Sequence, residues 1–127
     1  MMIDKRLILT IHKRLIALFG GCGGVRDLGL LESALCRPQN LQAYQPGCDI
    51  FDLAACLTYG LIKNHPFVDG NKRVAAVACE LVLNKANYQI TATEEQKYIV
   101  YMQLAGGELT QGGLAAWLRE NTLYMIN

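Results

Sequence analysis

The residues that could do chemistry are concentrated in one short segment, 65–73, which reads His-Pro-Phe-Val-Asp-Gly-Asn-Lys-Arg. It places an imidazole (His65), a carboxylate (Asp69) and two cations (Lys72 and Arg73) between two strongly apolar stretches. Burying this much charge without partners would cost several kcal/mol. We therefore expect the segment to line a surface cleft or to hold a ligand.

The second half of this segment is suited to binding phosphate. Gly70 lets backbone N–H groups approach a ligand closely, and these groups would open the next helix, whose dipole favours an anion. Lys72 and Arg73 add two positive charges at a helix end where cations are unfavourable unless an anion compensates them. Asn71 can cap the helix, a role compatible with ligand binding. We expect Gly70, Asn71, Lys72 and Arg73 to form a phosphate site.

The first half supplies groups that could act on a phosphate-bearing ligand. We expect Asp69, a lone carboxylate beside a phosphate site, to be a Mg²⁺ ligand. His65 is suited to taking a proton from an attacking hydroxyl near neutral pH, and Phe67 is predicted to point inward and pin the loop to the core. Taken singly, a histidine before proline is usually structural and Asp-Gly is a common turn. The combination carries the functional interpretation.

Composition limits the class of protein. The chain has 127 residues, 52% of them apolar and 18% charged, which predicts one folded domain over 1–127 with a large core. A net charge of +1 argues against a general nucleic-acid binder, and no run of like charge indicates a membrane patch. No signal peptide or membrane-spanning apolar run is recognised. Five cysteines without a C-x-x-C pair indicate reduced thiols, so we expect a cytoplasmic protein.

Apolar periodicity predicts six helices, at about 4–19, 28–37, 50–64, 71–87, 94–105 and 111–121. Asp27, Asp49 and Thr93 are the predicted caps of three of them. Pro38 is predicted to end the second helix. Residues 89–92 read as a short extended connection that could be one strand of a hairpin. The expected fold class is all-α, with at most a short β-hairpin.

The first predicted helix is amphipathic and is followed by a glycine-rich run. Its apolar residues recur at three- and four-residue steps, at Leu7, Ile11, Leu15 and Leu18. The glycine-rich run at 20–24 lacks the Lys-Ser/Thr pair of a phosphate loop, so we interpret it as a helix-ending loop. The second histidine of the chain, His12, lies on this helix without metal-ligand spacing.

The segment 65–73 resembles the signature loop of the Fic/Doc superfamily, most closely that of the death-on-curing (Doc) toxin branch. Similarity extends to Ile11-His12 near the amino terminus and to the stretch 114–121 near the carboxyl terminus. The resemblance implies an all-helical fold with the loop between two central helices. It also implies that His65 is the catalytic base, that Asp69 binds Mg²⁺ and that residues 70–73 anchor the phosphates of a nucleotide.

Two departures from the Fic pattern bear on the reaction. Fic adenylyltransferases have a second glycine at the position of Lys72 and a second arginine at the position of Ala76. The Doc branch shares both differences and is understood to phosphorylate a threonine of elongation factor Tu. The resemblance therefore implies a translation-inhibiting toxin, with Mg²⁺ and ATP as cofactor and phosphate donor and with an antitoxin protein as partner. Protein adenylylation and a catalytically silent binding module remain the alternatives.

Overall fold

The computed structural model describes residues 2–126, which form a helical bundle with a single two-stranded sheet. The elements, in chain order, are α1 (Lys5–Phe19), α2 (Leu28–Tyr44), α3 (Ile50–Asn64), α4 (Asn71–Lys85), β1 (Tyr88–Ile90), α5 (Glu94–Gly106), α6 (Gln111–Glu120) and β2 (Thr122–Tyr124). The predicted all-α fold with six helices is confirmed. No helix in this part of the chain is both long and apolar enough to cross a membrane.

The centre of the bundle is the pair α3 and α4, which are joined by the segment 65–70. α3 is buried at nine of its fifteen positions and packs between α2, α4 and α6. α4 buries a face of small and branched side chains that includes Val74, Ala75 and Ala78. Small residues allow helices to approach closely, and each large buried aliphatic side chain contributes roughly 1.5–3 kcal/mol. The joining segment is therefore held between the two helices that bury the most residues.

Side-chain caps define most of the helix starts. Asp27 accepts a hydrogen bond from the backbone of Leu30, and Asp49 and Thr93 each form a reciprocal capping box with the residue three positions on. All three predicted caps are confirmed. Such a cap contributes about 1 kcal/mol. α4 differs, because its N-cap is Gly70 and no side chain bonds its first turn.

The prediction that Pro38 ends the second helix is wrong, because α2 continues through this residue to Tyr44. An internal proline removes one hydrogen bond and crowds the preceding turn, at a cost of about 3 kcal/mol. Here Pro38 is buried together with Leu31, Ala34 and Leu35 on the face that packs against α3. Tertiary packing thus offsets the local penalty, which a sequence pattern cannot weigh.

The buried face of α1 also differs from the apolar pattern in the sequence. Leu7 and Leu18 are exposed, at 36% and 74%, whereas Ile8 and His12 are buried. Because a hydrophobicity pattern counts histidine as polar, it predicts the wrong face of α1 to be buried. The helix is turned so that His12 faces the segment between α3 and α4.

The extended connection near residue 89 is a strand, but its partner is distant in sequence. β1 pairs antiparallel with β2, and Tyr88 lies opposite Tyr124. Because α5 and α6 intervene, the sheet is not a local hairpin. α4 ends at Lys85, two residues earlier than predicted, and Asn87 takes a left-handed conformation that turns the chain into β1.

Candidate active site

A cleft of about 810 Å³ opens at the junction of α3 and α4. Six of the seven residues predicted from the sequence line it: His65, Asp69, Gly70, Asn71, Lys72 and Arg73. α5 forms the facing wall with Lys97, Tyr98, Tyr101, Met102 and Ala105. The seventh predicted residue, Phe67, is fully buried beneath the loop. The structure thus brings the polar residues of one short segment to a single concave surface.

The exit of the chain from α3 is fixed by an arginine from the loop before α2. His65 is the C-cap of α3 and has a left-handed backbone, with φ 50° and ψ 54°. The guanidinium of Arg26 donates to the carbonyl oxygens of His65 (2.6 Å) and Asn64 (2.8 Å). These charged hydrogen bonds satisfy carbonyls that the helix end leaves unpaired. The side chain of His65 is exposed on the cleft wall.

Phe67 and Asn71 lock the loop from inside. The Oδ1 atom of Asn71 accepts from the backbone N–H of Phe67 at 2.9 Å, and its Nδ2 atom donates to the Phe67 carbonyl at 3.0 Å. Asn71 is only 6% exposed. Its side chain is therefore committed to the loop, and its main-chain N–H is the group that a phosphate could reach.

The start of α4 presents backbone donors and cations to the cleft. Gly70 has φ 82°, a left-handed conformation that glycine adopts without strain. The first amides of a helix have no intrahelical acceptor, and no side chain caps them here. Lys72 and Arg73 are exposed, and neither forms an ion pair within residues 2–126. The guanidinium of Arg73 lies 4.7 Å from the ring centroid of Phe19.

Two backbone amides hold the carboxylate of Asp69. Its Oδ1 atom accepts from the N–H of Gly70 at 2.8 Å, and its Oδ2 atom accepts from the N–H of Cys22 at 3.3 Å. A Cβ atom at Gly21, which has φ 112°, would lie 2.6 Å from this Oδ2 atom. The glycine-rich loop ends α1 at Gly20, as predicted, and it also shapes the surroundings of Asp69. That second role was not visible in the sequence.

The surroundings of Asp69 would suit a magnesium ion that is coordinated mainly by a bound phosphate and by water. No group of three or more His, Cys, Asp or Glu side chains that could hold a metal occurs in the described part of the chain. Mg²⁺ commonly uses one or two carboxylates together with substrate phosphates and water. Asp69 is exposed in the cleft beside the uncapped start of α4, so one carboxylate and a phosphate site lie together.

Sequence reasoning did not assign a role to His12, which contacts the loop from α1. Its ring stacks on Phe67 with centroids 3.9 Å apart and planes at 10°. Its Nε2 atom lies 2.9 Å from the carbonyl oxygen of Asp69, and the residue is 3% exposed. The available signal was its position four residues after Ile8, on the same helical face.

Comparison with known proteins identifies the family. Residues 2–83 match the model of the Fic/DOC family, a region that includes the whole cleft loop. The chain belongs to the Fic/Doc family. It is similar to "Toxin Doc" of Mycolicibacterium smegmatis, with 42% identity over 94 residues that cover 71% of this chain and 68% of that protein. It is also similar to "Protein kinase doc" of Escherichia phage P1, with 29% identity over 117 residues and 92% of each chain covered.

The facing wall of this Fic/Doc cleft contains an ion-pair cluster. Lys97 on α5 lies 2.8 Å from carboxylate oxygens of both Glu80 on α4 and Glu94 on α5. Burial lowers the pKa of Lys97, but hydrogen bonds to the two glutamates outweigh that effect and raise the pKa above its ordinary value. Lys97 is therefore a fixed cation that ties α5 to α4.

Two buried potential nucleophiles, Tyr101 in the wall of the Fic/Doc cleft and Cys79 behind it, are held neutral. Burial raises the pKa of the Cys79 thiol to about 11 and that of the Tyr101 hydroxyl well above its usual range. Neither group forms an anion near neutral pH, so covalent catalysis through them is disfavoured. The groups positioned to act on a bound molecule are the imidazole of His65, the carboxylate of Asp69 and the donors at the start of α4.

Proposed function

We propose that this protein is a Doc-type toxin that transfers the γ-phosphoryl group of ATP to a hydroxyl of a translation factor. The observation that carries the proposal is that His65, Asp69 and the uncapped start of α4 line the same cleft. The names of the two similar proteins, a toxin and a protein kinase, support this reading. The preferred substrate is a threonine of elongation factor Tu, which would place the activity in the cytoplasm.

The start of α4 is the proposed phosphate-binding site. Its amides, including that of Asn71, can donate to phosphate oxygens, and Lys72 and Arg73 neutralise their charge. Phosphoryl transfer depends chiefly on such positioning and electrostatic stabilisation. The Asn71 side chain holds the loop in place through two hydrogen bonds to the backbone of Phe67, which favours a preformed phosphate-binding site.

His65 is the proposed general base. The imidazole would take the proton from the attacking hydroxyl while the hydroxyl oxygen bonds to the γ-phosphorus. The bond from the γ-phosphorus to the bridging oxygen breaks, and ADP leaves with that oxygen. The exposed position of His65 on the cleft wall allows a protein side chain to reach it. Arg26 holds the backbone on which the imidazole is presented.

Asp69 is the proposed Mg²⁺ ligand. A bound Mg²⁺ would neutralise phosphate charge and help to orient the phosphate chain. Asp69 is held ready by the amides of Gly70 and Cys22, so its orientation does not depend on the ligand. We place no further protein ligand on this ion.

Lys72 and Ala76 favour phosphorylation over adenylylation. Both residues line the cleft. The aliphatic part of the Lys72 side chain therefore occupies space near the proposed phosphate-binding site, and Ala76 offers no guanidinium from the next turn of α4. The Doc branch, which the whole loop 65–73 resembles, shares both of these differences from the Fic pattern. The proposal includes an antitoxin protein that binds and neutralises the toxin.

The deciding experiment uses purified protein, a bacterial lysate and ATP labelled on either the γ- or the α-phosphate. We expect one lysate protein to gain label from the γ-phosphate and to increase in intact mass by one phosphate. Label from the α-phosphate, with a mass gain of one AMP, would instead establish an adenylyltransferase. The His65→Ala variant is the negative control and should transfer neither group.

Growth on expression separates an enzyme from a binding module. We expect arrest with the parent chain and none with His65→Ala at equal protein levels. A His65→Ala variant as toxic as the parent would favour a module that acts by binding alone.

A further inference from the structure

His12 is a buried histidine outside the cleft that the proposed reaction does not use. Of the two histidines in the chain, His65 is exposed and His12 is 3% exposed. His12 contacts the loop at two separate points, through its ring face and through one ring nitrogen. A buried polar side chain is generally hydrogen-bonded, and the partner that it selects indicates its role.

The partner atom fixes the direction of this hydrogen bond. The Nε2 atom lies 2.9 Å from the main-chain oxygen of Asp69, and a carbonyl oxygen can only accept. The hydrogen of the neutral ring must therefore be on Nε2. α1 thus donates a hydrogen bond to the main chain of the residue whose carboxylate enters the cleft.

The two ends of one peptide plane are held in different ways. The Asp69 carbonyl and the Gly70 N–H belong to the same planar peptide unit. His12 binds the carbonyl end, and the Asp69 carboxylate itself binds the N–H end at 2.8 Å. Rotation of this plane would turn the N–H away from the Oδ1 atom that it orients.

The peptide unit between Asp69 and Gly70 needs an external restraint because the residue on its carboxyl side is glycine. Gly70 has φ 82° and tolerates many backbone conformations, so the chain alone does not prevent a peptide rotation. The ring of His12 runs beside the loop, and a Cβ atom at Gly70 would lie 3.8 Å from its Cδ2 atom. The stack on Phe67 sets the plane of the ring, which aims Nε2 at the carbonyl.

We propose that His12 is a positioning residue that fixes the peptide plane between Asp69 and Gly70 and so sets the direction of the Asp69 carboxylate. This inference rests on the proposed role of Asp69 as a Mg²⁺ ligand. A residue that only filled the core would need its ring but not its N–H. The two functions can be separated by substitution.

Two matched variants separate the donor from the ring. His12→Phe keeps a ring that can stack on Phe67 but has no donor for the Asp69 carbonyl. His12→Gln keeps an N–H at about the same reach but has no ring. Each variant is examined by thermal unfolding without ligand, and by the Mg²⁺ concentration needed for half-maximal binding of a fluorescent ATP analogue.

Loss of the donor should mainly raise the Mg²⁺ requirement, and loss of the ring should mainly lower the unfolding temperature. His12→Phe leaves the part-buried Asp69 carbonyl without its donor, so it should unfold somewhat below the parent temperature. It should need about 10-fold more Mg²⁺, the lower end of the roughly 10–100-fold cost of losing an outer-shell contact. His12→Gln keeps a donor but loses the stack that aims it, so it should unfold at a lower temperature than His12→Phe and need less additional Mg²⁺ than His12→Phe does. An unchanged Mg²⁺ requirement in His12→Phe would overturn the inference while leaving the proposed reaction intact. Absence of Mg²⁺-dependent binding by the parent would instead count against the proposed function.

A measurement on the parent protein guards against a variant that fails to fold. Ring ¹⁵N resonances at mildly alkaline pH report which nitrogen of His12 carries the hydrogen. We expect the Nε2–H tautomer with slow solvent exchange. A ring protonated only on Nδ1 would exclude the hydrogen bond to Asp69 and overturn the inference without any substitution.

Discussion

At the scale of single residues, the loop is ordered by side chains that bind its backbone. Asn71 satisfies both backbone groups of Phe67, Arg26 binds two carbonyls at the end of α3, and two amides hold Asp69. None of these contacts requires a ligand. The geometry of the cleft is therefore set before a nucleotide arrives, which reduces the entropy cost of binding.

Asn71→Ala should destabilise the protein markedly although it removes few atoms. It leaves the N–H and the carbonyl of buried Phe67 without partners, and each unpaired buried group costs about 1–3 kcal/mol. Urea unfolding should show a loss of about 2 kcal/mol or more. The exposed neighbour is the control, and Lys72→Ala should change stability by no more than about 0.5 kcal/mol. Equal stabilities of the two variants would contradict this role of Asn71.

Gly21→Ala should weaken Mg²⁺-dependent nucleotide binding, because its Cβ atom would lie 2.6 Å from Oδ2 of Asp69. Gly20→Ala is the matched control: Gly20 also has positive φ, but nothing lies within 4 Å of the added atom. Backbone strain is therefore common to both variants, and displacement of Asp69 is specific to one. Calorimetric titration should show weaker binding only in Gly21→Ala, and equal effects would argue against contact with Asp69.

At the scale of elements, one arginine joins the carboxyl end of α6 to the amino end of α3. Arg119 donates to both carboxylate oxygens of Asp49, at 2.9 and 3.1 Å, and to Asp52 at 2.6 Å. Asp49 is also the N-cap of α3, so the same carboxylate serves a helix start and an ion pair. This contact fixes the end of α3 that lies opposite the cleft loop.

The link predicts a specific sensitivity to acid. Burial raises the pKa of Asp49, but hydrogen bonds from Arg119 and from the α3 backbone prevail, and the net pKa lies below its ordinary value of 3.8. A depressed pKa contributes stability that is present above the unfolded-state value and is lost as pH falls through the folded-state value. Unfolding free energy should therefore fall below about pH 4. The fall should be shallower in Arg119→Gln, and identical acid slopes would contradict the link. Because both side chains are partly exposed, the effect should be small and should weaken with salt.

At the scale of the whole molecule, the bundle places a polar loop between its two best-packed helices and covers one side of it with α5. The parts that sequence could predict were those set by local chemistry: helix starts at Asp27, Asp49 and Thr93, and a polar segment that had to reach a cleft. The parts that it missed depend on distant packing. They include the passage of α2 through Pro38, the contact of His12 with the loop and the pairing of β1 with a strand beyond α6.

The most direct test of the account is an NMR titration of the ¹⁵N-labelled protein with ATP in the presence of Mg²⁺. We predict saturable shifts of the amide resonances of Asn71, Lys72 and Arg73, together with the ring resonances of His65. In the double variant Lys72→Ala/Arg73→Ala, ATP should no longer shift the amide resonances at positions 71–73, and the resonances of the α3 core should stay where they are in the parent. A parent protein in which these resonances do not move, or in which ATP perturbs only residues outside the cleft, would contradict the claim that the start of α4 binds the phosphates.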